Sequence, residues 1–249
     1  MQSPYRALVS SDWNECLAPC GPFDVIGFHF PALAPPVEAI FRRYTSNAIT
    51  LGSAIDQVGR LLPGPITEAH MDAYLASAFK TYNGVVGLME RCRERGILFM
   101  INTTGMRGYF QRAVATHRLP PPAALSAHPL MAFADPSAGM GPFYPLGEIA
   151  DKAANTAAAA AHFHIPPEKI ILMGDSGGDG PHFRWGAQVG ARLIGSMVKP
   201  SLSAFCRQAG LTIHHYFGPV YAPGEPKDPR RETACNFLDL LEVIEGWIR

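Results

Sequence analysis

Six short apolar runs punctuate the chain: Ala7–Ser10, Ile97–Ile101, Leu130–Ala134, Ile170–Met173, Ala191–Ile194 and Ile213–Phe217. None alternates strictly between apolar and polar positions, which is the pattern of strands covered on both faces. Helical periodicity fills the intervals. In "VVGLMERCRERG", Val85, Leu88, Met89 and Cys92 share one face, and Gly96 follows as a C-terminal cap. "DKAANTAAAAAHFHI" is a helix by propensity that ends before Pro166 and Pro167. "RETACNFLDLLEVIEGWIR" reads as one further amphipathic helix closing the chain. Strands alternating with helices predict an α/β fold with a parallel, doubly wound sheet.

One interval breaks the alternation. Between Pro19 and about Tyr82 there is helical pattern and Pro/Gly punctuation but no buried-strand run. That is longer than a simple crossover. It predicts a helical cap, residues 19–82, inserted into a core made of residues 1–18 and 83–249. Ligands of open α/β sheets bind at the carboxyl ends of the strands, so a cap inserted after the first strand covers the site.

Composition narrows the function classes. Lys plus Arg equals Asp plus Glu at 21 each, and there is no basic run, so no field favours nucleic acid or an anionic membrane. No stretch reaches the roughly 18 apolar residues of a membrane helix, and no signal-peptide pattern opens the chain. A soluble, cytoplasmic protein is the expectation. The five cysteines are odd in number and unpatterned, and read as reduced, mostly buried thiols.

The chemistry sits at the predicted strand ends. Asp12 follows the first run; Thr103, Thr104 and Gly105 follow "ILFMIN"; Asp175, Gly177, Gly178 and Asp179 follow "KIILMG"; Lys152 opens the alanine-rich helix. Three carboxylates brought together repel one another and call for a cation, and Mg²⁺ prefers such oxygen ligands. A lysine and a helix N-terminus suit a phosphate. A carboxylate, a magnesium ion and a phosphate clamp together point to phosphoryl transfer with aspartate as nucleophile.

In that order and spacing, "ALVSSDWNECL", "FMINTTG", Lys152 in "GEIADKAANTAA" and "ILMGDSGGDGPHF" resemble the four motifs of the haloacid dehalogenase-like (HAD) hydrolases. The resemblance covers residues 5–195, and the insert matches the C1 cap position of phosphatases and phosphonatases. It implies that Asp12 becomes an aspartyl phosphate and that Mg²⁺ is held by Asp12, the carbonyl of Asn14 and Asp175, with Asp179 in support. It implies that Thr104, or Thr103 if the strand end is one residue off, bonds the phosphoryl group beside Gly105. Lys152 then bridges phosphate and Asp12, and the substrate is a small phosphorylated metabolite.

Asn14 departs from the pattern. Phosphatases of the superfamily carry a second aspartate there, and losing such an acid/base typically costs on the order of 10²–10⁴ in rate. Three readings stay open: a phosphatase that manages without it, with Glu15 or His182 as substitutes; a phosphonatase- or dehalogenase-like hydrolase, for which Lys80 is the one cap lysine; and a non-catalytic protein that binds Mg²⁺ and a phosphoryl ligand. In the cap, Phe28, His29, Phe30, Arg42 and Arg43 read first as core and surface residues rather than substrate contacts.

Overall fold

Every residue of the first strand, β1 (Ala7–Ser11), is buried, and its neighbours in the sheet explain why. In the computed structural model, which describes residues 4–45, 48–133 and 139–249, β1 lies at the centre of a seven-stranded sheet. It pairs in parallel with β2 (Ile97–Met106) and β5 (Ile170–Gly174), in the registers Ala7↔Ile97 and Leu8↔Ile170. The strand order is β4-β3-β2-β1-β5-β6-β7, with β3 at Ala124–His128, β4 at Phe143–Pro145, β6 at Arg192–Val198 and β7 at His215–Val220. All pairings are parallel.

Because side chains alternate across a strand, both faces of these apolar runs feed a core. Ala7, Val9, Phe99, Ile101 and Ile171 face one cluster, with the helices α5 (Val85–Glu94), α6 (Arg107–Ala115) and α11 (Leu240–Ile248). Leu8, Leu98, Met100 and Leu172 face the other, with α7 (Asp151–His162), α8 (Gly180–Val189) and α9 (Pro200–Ala209). Gly96 sits just past the end of α5 at φ +63°, the left-handed turn that glycine enters without a Cβ penalty.

Between β1 and β2 the chain forms the helical cap: α1 (Asp24–His29), α2 (Ala34–Thr45), α3 (Leu51–Leu61) and α4 (Glu68–Ala78). Its apolar side chains join the first core cluster. Polar contacts help to seat it on the core. The carboxylate of Glu148 accepts from Leu51 N (2.9 Å) and Gly52 N (3.0 Å), filling the open donors at the start of α3. Arg112 of α6 grips Asp72 of α4 in a bidentate pair (2.8 and 2.7 Å) and reaches Glu68 at 3.1 Å. No helix among the described residues is long and apolar enough to cross a membrane.

Two expectations need correction. Leu130–Phe133 is not a strand, and Ala134 lies outside the described residues; the strands there are β3 and β4. Met131 has φ +52°, which no strand allows, and the Gln111 amide satisfies Phe133 by accepting from its N–H (2.8 Å) and donating to its carbonyl (3.1 Å). The C-terminal helix is broken in two, α10 (Pro229–Thr233) and α11. At the break the Asn236 side chain caps Leu238 N and the Phe237 N–H donates to Asn83 O, so the backbone leaves the helical ladder.

Candidate active site

The sheet order reverses between β1 and β5, because the chain runs outward through β2, β3 and β4 before returning to the other side of β1. Two of the predicted carboxylates stand at that switch point. Asp12 extends β1 with its N–H on Met173 O (3.0 Å), and Asp175 follows β5. A short 3₁₀ turn, Gly177–Asp179, folds Asp179 back so that its Oδ2 accepts from Asp175 N (3.0 Å) and Ser176 N (3.3 Å). Gly174 permits this approach: a Cβ there would lie 2.5 Å from the Asp179 carboxyl carbon.

Lys152, in the first turn of α7, is 4% exposed, and its Nζ donates to Asp12 Oδ1 (2.9 Å) and Asp179 Oδ1 (2.7 Å). The turn is pinned from behind, where Asn102 Nδ2 donates to Lys152 O (2.9 Å) and Thr156 Oγ1 (2.9 Å). Ligand oxygens of Asp12, Asp175 and Asp179 lie within 4.8 Å of one another. Asp175 Oδ2 is buried, and Lys199 Nζ stands 2.5 Å away. Hard oxygen donors converging in this way fit a divalent ion such as Mg²⁺.

Electrostatics follow from burial. Desolvation pushes Asp175 up to about 7, against the pull of Lys199, and raises Asp12 against the pull of Lys152. Burial works to raise Asp179 too, but the Lys152 ammonium and its hydrogen bond outweigh it and hold this carboxylate below its ordinary range. Burial alone would lower Lys152; its two carboxylate partners raise it instead, so the ammonium is retained.

Above this floor opens a cavity of about 750 Å³ lined by both core and cap. Asp12, Asn14, Thr104, Lys152, Asp175 and Asp179 all line it. Gly105 does not: it is buried, and its N–H donates to Thr103 Oγ1 (3.0 Å). The two threonines divide the work. Thr104 faces the cavity beside Tyr44, whereas Thr103 is fully buried and donates to Asn14 Oδ1 (3.1 Å). The other end of that amide donates to Cys20 O (3.1 Å), so both halves of Asn14 are committed.

His182 is buried on Thr156 Oγ1 (2.9 Å) and stacked on Trp185, away from the cavity lining; Lys80 is exposed and also outside it. Glu15 does line the cavity, at φ +61°, gripped by Lys199 and Lys227. Arg42 pairs with Glu38 (2.5 Å) on the outside of α2, Arg43 reaches Gln57 (3.1 Å), and Phe28, His29 and Phe30 lie outside the lining. Sequence reasoning missed Lys199. Its backbone N–H donates to Asp175 O (2.8 Å) directly after β6, so the strand-end criterion that found the aspartates, applied to β6, points to it.

No family model matches the sequence, and no curated protein matches it. Solved structures do. A phospho-aspartyl intermediate analogue of phosphoserine phosphatase superposes with a TM-score of 0.67 over 96% of this chain and 99% of that one, at 13% identity. The chain has the haloacid dehalogenase-like fold. A HAD family hydrolase from Salmonella enterica subsp. enterica serovar Typhi gives 0.67 over 98% of this chain and 73% of that one, at 17% identity. A substrate-bound phosphoserine phosphatase gives 0.64 over 95% and 97%, at 13% identity. At these identities the likeness extends to the HAD architecture and cap, and the chemistry rests on the side chains present here.

Proposed function

We propose that the chain is a magnesium-dependent phosphatase of small phosphorylated metabolites, with core 1–18 and 83–249 and a C1-type cap 19–82. The observation that carries this reading is the Lys152 ammonium shared between Asp12 and Asp179, beside Asp175, at the floor of a capped cavity. The hydrogen bond from Tyr82 N to Leu17 O (3.0 Å) joins the two strands of chain where cap meets core, which supports the boundary.

In this reading Lys152 holds Asp12 Oδ1, leaving Oδ2 as the attacking atom. Oδ2 forms a bond to phosphorus as the bond to the leaving oxygen breaks. Lys152 and the Thr104 hydroxyl meet the phosphoryl oxygens as charge shifts onto them. Asp12, Asp175 and the Asn14 carbonyl, with Asp179 in support, would hold Mg²⁺, which would supply charge neutralisation when bound. Water then attacks the aspartyl phosphate, releasing inorganic phosphate and restoring Asp12. The Asn14 amide moves no proton at any step, so leaving groups that need no proton from the protein are favoured.

The two hydrogen bonds that hold the Asn14 amide also support a second reading, a binding protein without turnover. Lys80 is exposed and outside the cavity, so the phosphonatase alternative gains no support. Phosphate release from acetyl phosphate and p-nitrophenyl phosphate separates the first two. A phosphatase releases phosphate only with Mg²⁺, and Asp12→Asn abolishes it. A binding protein takes up Mg²⁺ and orthovanadate without release. Asn14→Asp keeps the Thr103 contact but sets a carboxylate oxygen against Cys20 O, at an expected cost of about 1–3 kcal/mol in stability. Chemical denaturation of the variant reads that cost.

A further inference from the structure

Lys152 is only as well placed as the turn that carries it, and the turn is held by residues outside the cavity. Ser10 of β1 stands two residues before Asp12, and Asn102 of β2 stands two before Thr104. Thr156 follows Lys152 by one helical turn on α7, and His182 of α8 follows Asp179 by three residues. Each of these site residues therefore has a polar neighbour one structural step along its own segment. The four neighbours are buried, and none lines the cavity. Leu8, Met100 and Ala160 come one step further on and belong to the second apolar cluster.

The four are hydrogen-bonded together. Ser10 Oγ lies 2.8 Å from Thr156 Oγ1, which lies 2.9 Å from His182 Nε2. Asn102 Nδ2 donates to Thr156 Oγ1 (2.9 Å), Ser10 Oγ (3.2 Å) and Lys152 O (2.9 Å). A hydroxyl offers one proton and two lone pairs, and Thr156 commits all of them to Asn102, Ser10 and His182. Burial pushes the His182 imidazole down to about 3, so the ring enters this network neutral. Lys152 O can only accept, which turns the Asn102 nitrogen toward it. Asn102 Oδ1 has no partner among the described residues.

A buried unpaired oxygen costs about 1–3 kcal/mol, so packing alone does not account for an amide at this position. The tether to Lys152 does. Lys152 Nζ has to meet Asp12 Oδ1 and Asp179 Oδ1 together, and a misplacement of about 1 Å can cost on the order of 10²-fold in rate. A buried hydrogen-bonded network admits one arrangement where apolar packing admits several.

We propose that Ser10, Asn102, Thr156 and His182 are positioning residues, a buried polar tier that holds Lys152 over Asp12 and Asp179 with the Thr156 hydroxyl as its hub. The inference rests on the phosphatase reading above for its effect on rate, and on the phosphate cradle alone for its effect on binding. His182 serves the chemistry as a partner of Thr156 and not as a stand-in for the acid missing at Asn14.

The test removes the hub. Thr156→Val keeps the branched shape and loses the hydroxyl. With Mg²⁺ present, kcat for p-nitrophenyl phosphate should fall about tenfold or more while KM stays within about twofold. Orthovanadate, measured by calorimetry, should bind about tenfold more weakly. Thr156→Ser restores the hydroxyl and should return both quantities to within about threefold of wild type. If Thr156→Val does not fold, Ser10→Ala replaces it, with an expected loss of about threefold in kcat and in orthovanadate affinity. Folded variants that lose stability but keep kcat and orthovanadate affinity overturn the inference. A loss that Thr156→Ser fails to restore also overturns it, because shape and not the hydroxyl is then responsible. If wild type releases no phosphate, the phosphatase reading falls, and orthovanadate affinity across the same variants decides the inference by itself. Neither release nor orthovanadate binding by wild type overturns both.

Discussion

At the scale of single residues, the site is a balance of buried charges, and Lys199 tests it. Its ammonium lies 2.5 Å from an Asp175 oxygen that a divalent ion would use. Lys199→Gln removes that competitor, and Mn²⁺ titration by calorimetry should show binding tightened by about tenfold, which is about 1.4 kcal/mol. Unchanged or weaker binding would show that the lysine supports the ion rather than competing with it. His182 gives a second test. Burial lowers it to about 3 from an ordinary 6.5. Above 6.5 folded and unfolded chains both carry it neutral. As pH falls from 6.5 toward 3, only the unfolded chain takes the proton, so this residue's contribution to stability declines across that window. Asn at 182 keeps a partner for Thr156 and removes the titration, so denaturation midpoints of His182→Asn should fall less steeply than wild type between pH 6.5 and 4. Asp12, Lys152, Asp175 and Asp179 were legible in the sequence because each stands at a strand end or opens a helix. The order of Thr103 and Thr104 was not, because which of two adjacent hydroxyls faces solvent depends on the irregular last residues of β2, where the register with β3 shifts between Asn102 and Met106.

Elements were legible where burial alone decides them. β1, β2 and β5 are apolar on both faces because helices cover both, and this reads directly as uninterrupted runs. β3 was missed because "ALSAH" is small and half polar, and it is a strand through its ladder to Met100, Ile101 and Asn102. The more apolar run after it was chosen instead, and it is kept out of the sheet by the Met131 turn and by Gln111. Gln111→Ala strips both bonds from Phe133 and should cost about 2 kcal/mol, measured by urea unfolding, with the far-UV spectrum retained. A loss below about 0.5 kcal/mol would mean the Phe133 segment holds itself. The C-terminal helix was read as continuous because its apolar periodicity is continuous. Asn236 breaks it by tertiary pairing with residues far away in sequence, and no periodicity encodes that.

For the whole molecule, cap and core share one apolar cluster and several polar seats, and the Glu148 seat stands beside the chemistry. Glu148 fills the open amides of α3 and lies four residues before Lys152, in the segment that Asp151 braces through Gly147 N and Glu148 N (2.8 Å each). Coupling between two sites is reciprocal: whatever an occupied floor adds to the Glu148 contact, that contact returns to the affinity of the floor. Orthovanadate bound at the floor should therefore slow hydrogen exchange at Leu51 and Gly52, and Glu148→Gln should weaken both the protection and the affinity for orthovanadate. In a protein built this way, occupancy of the floor would be legible at the amides of the roof, one coupling free energy measured at two addresses.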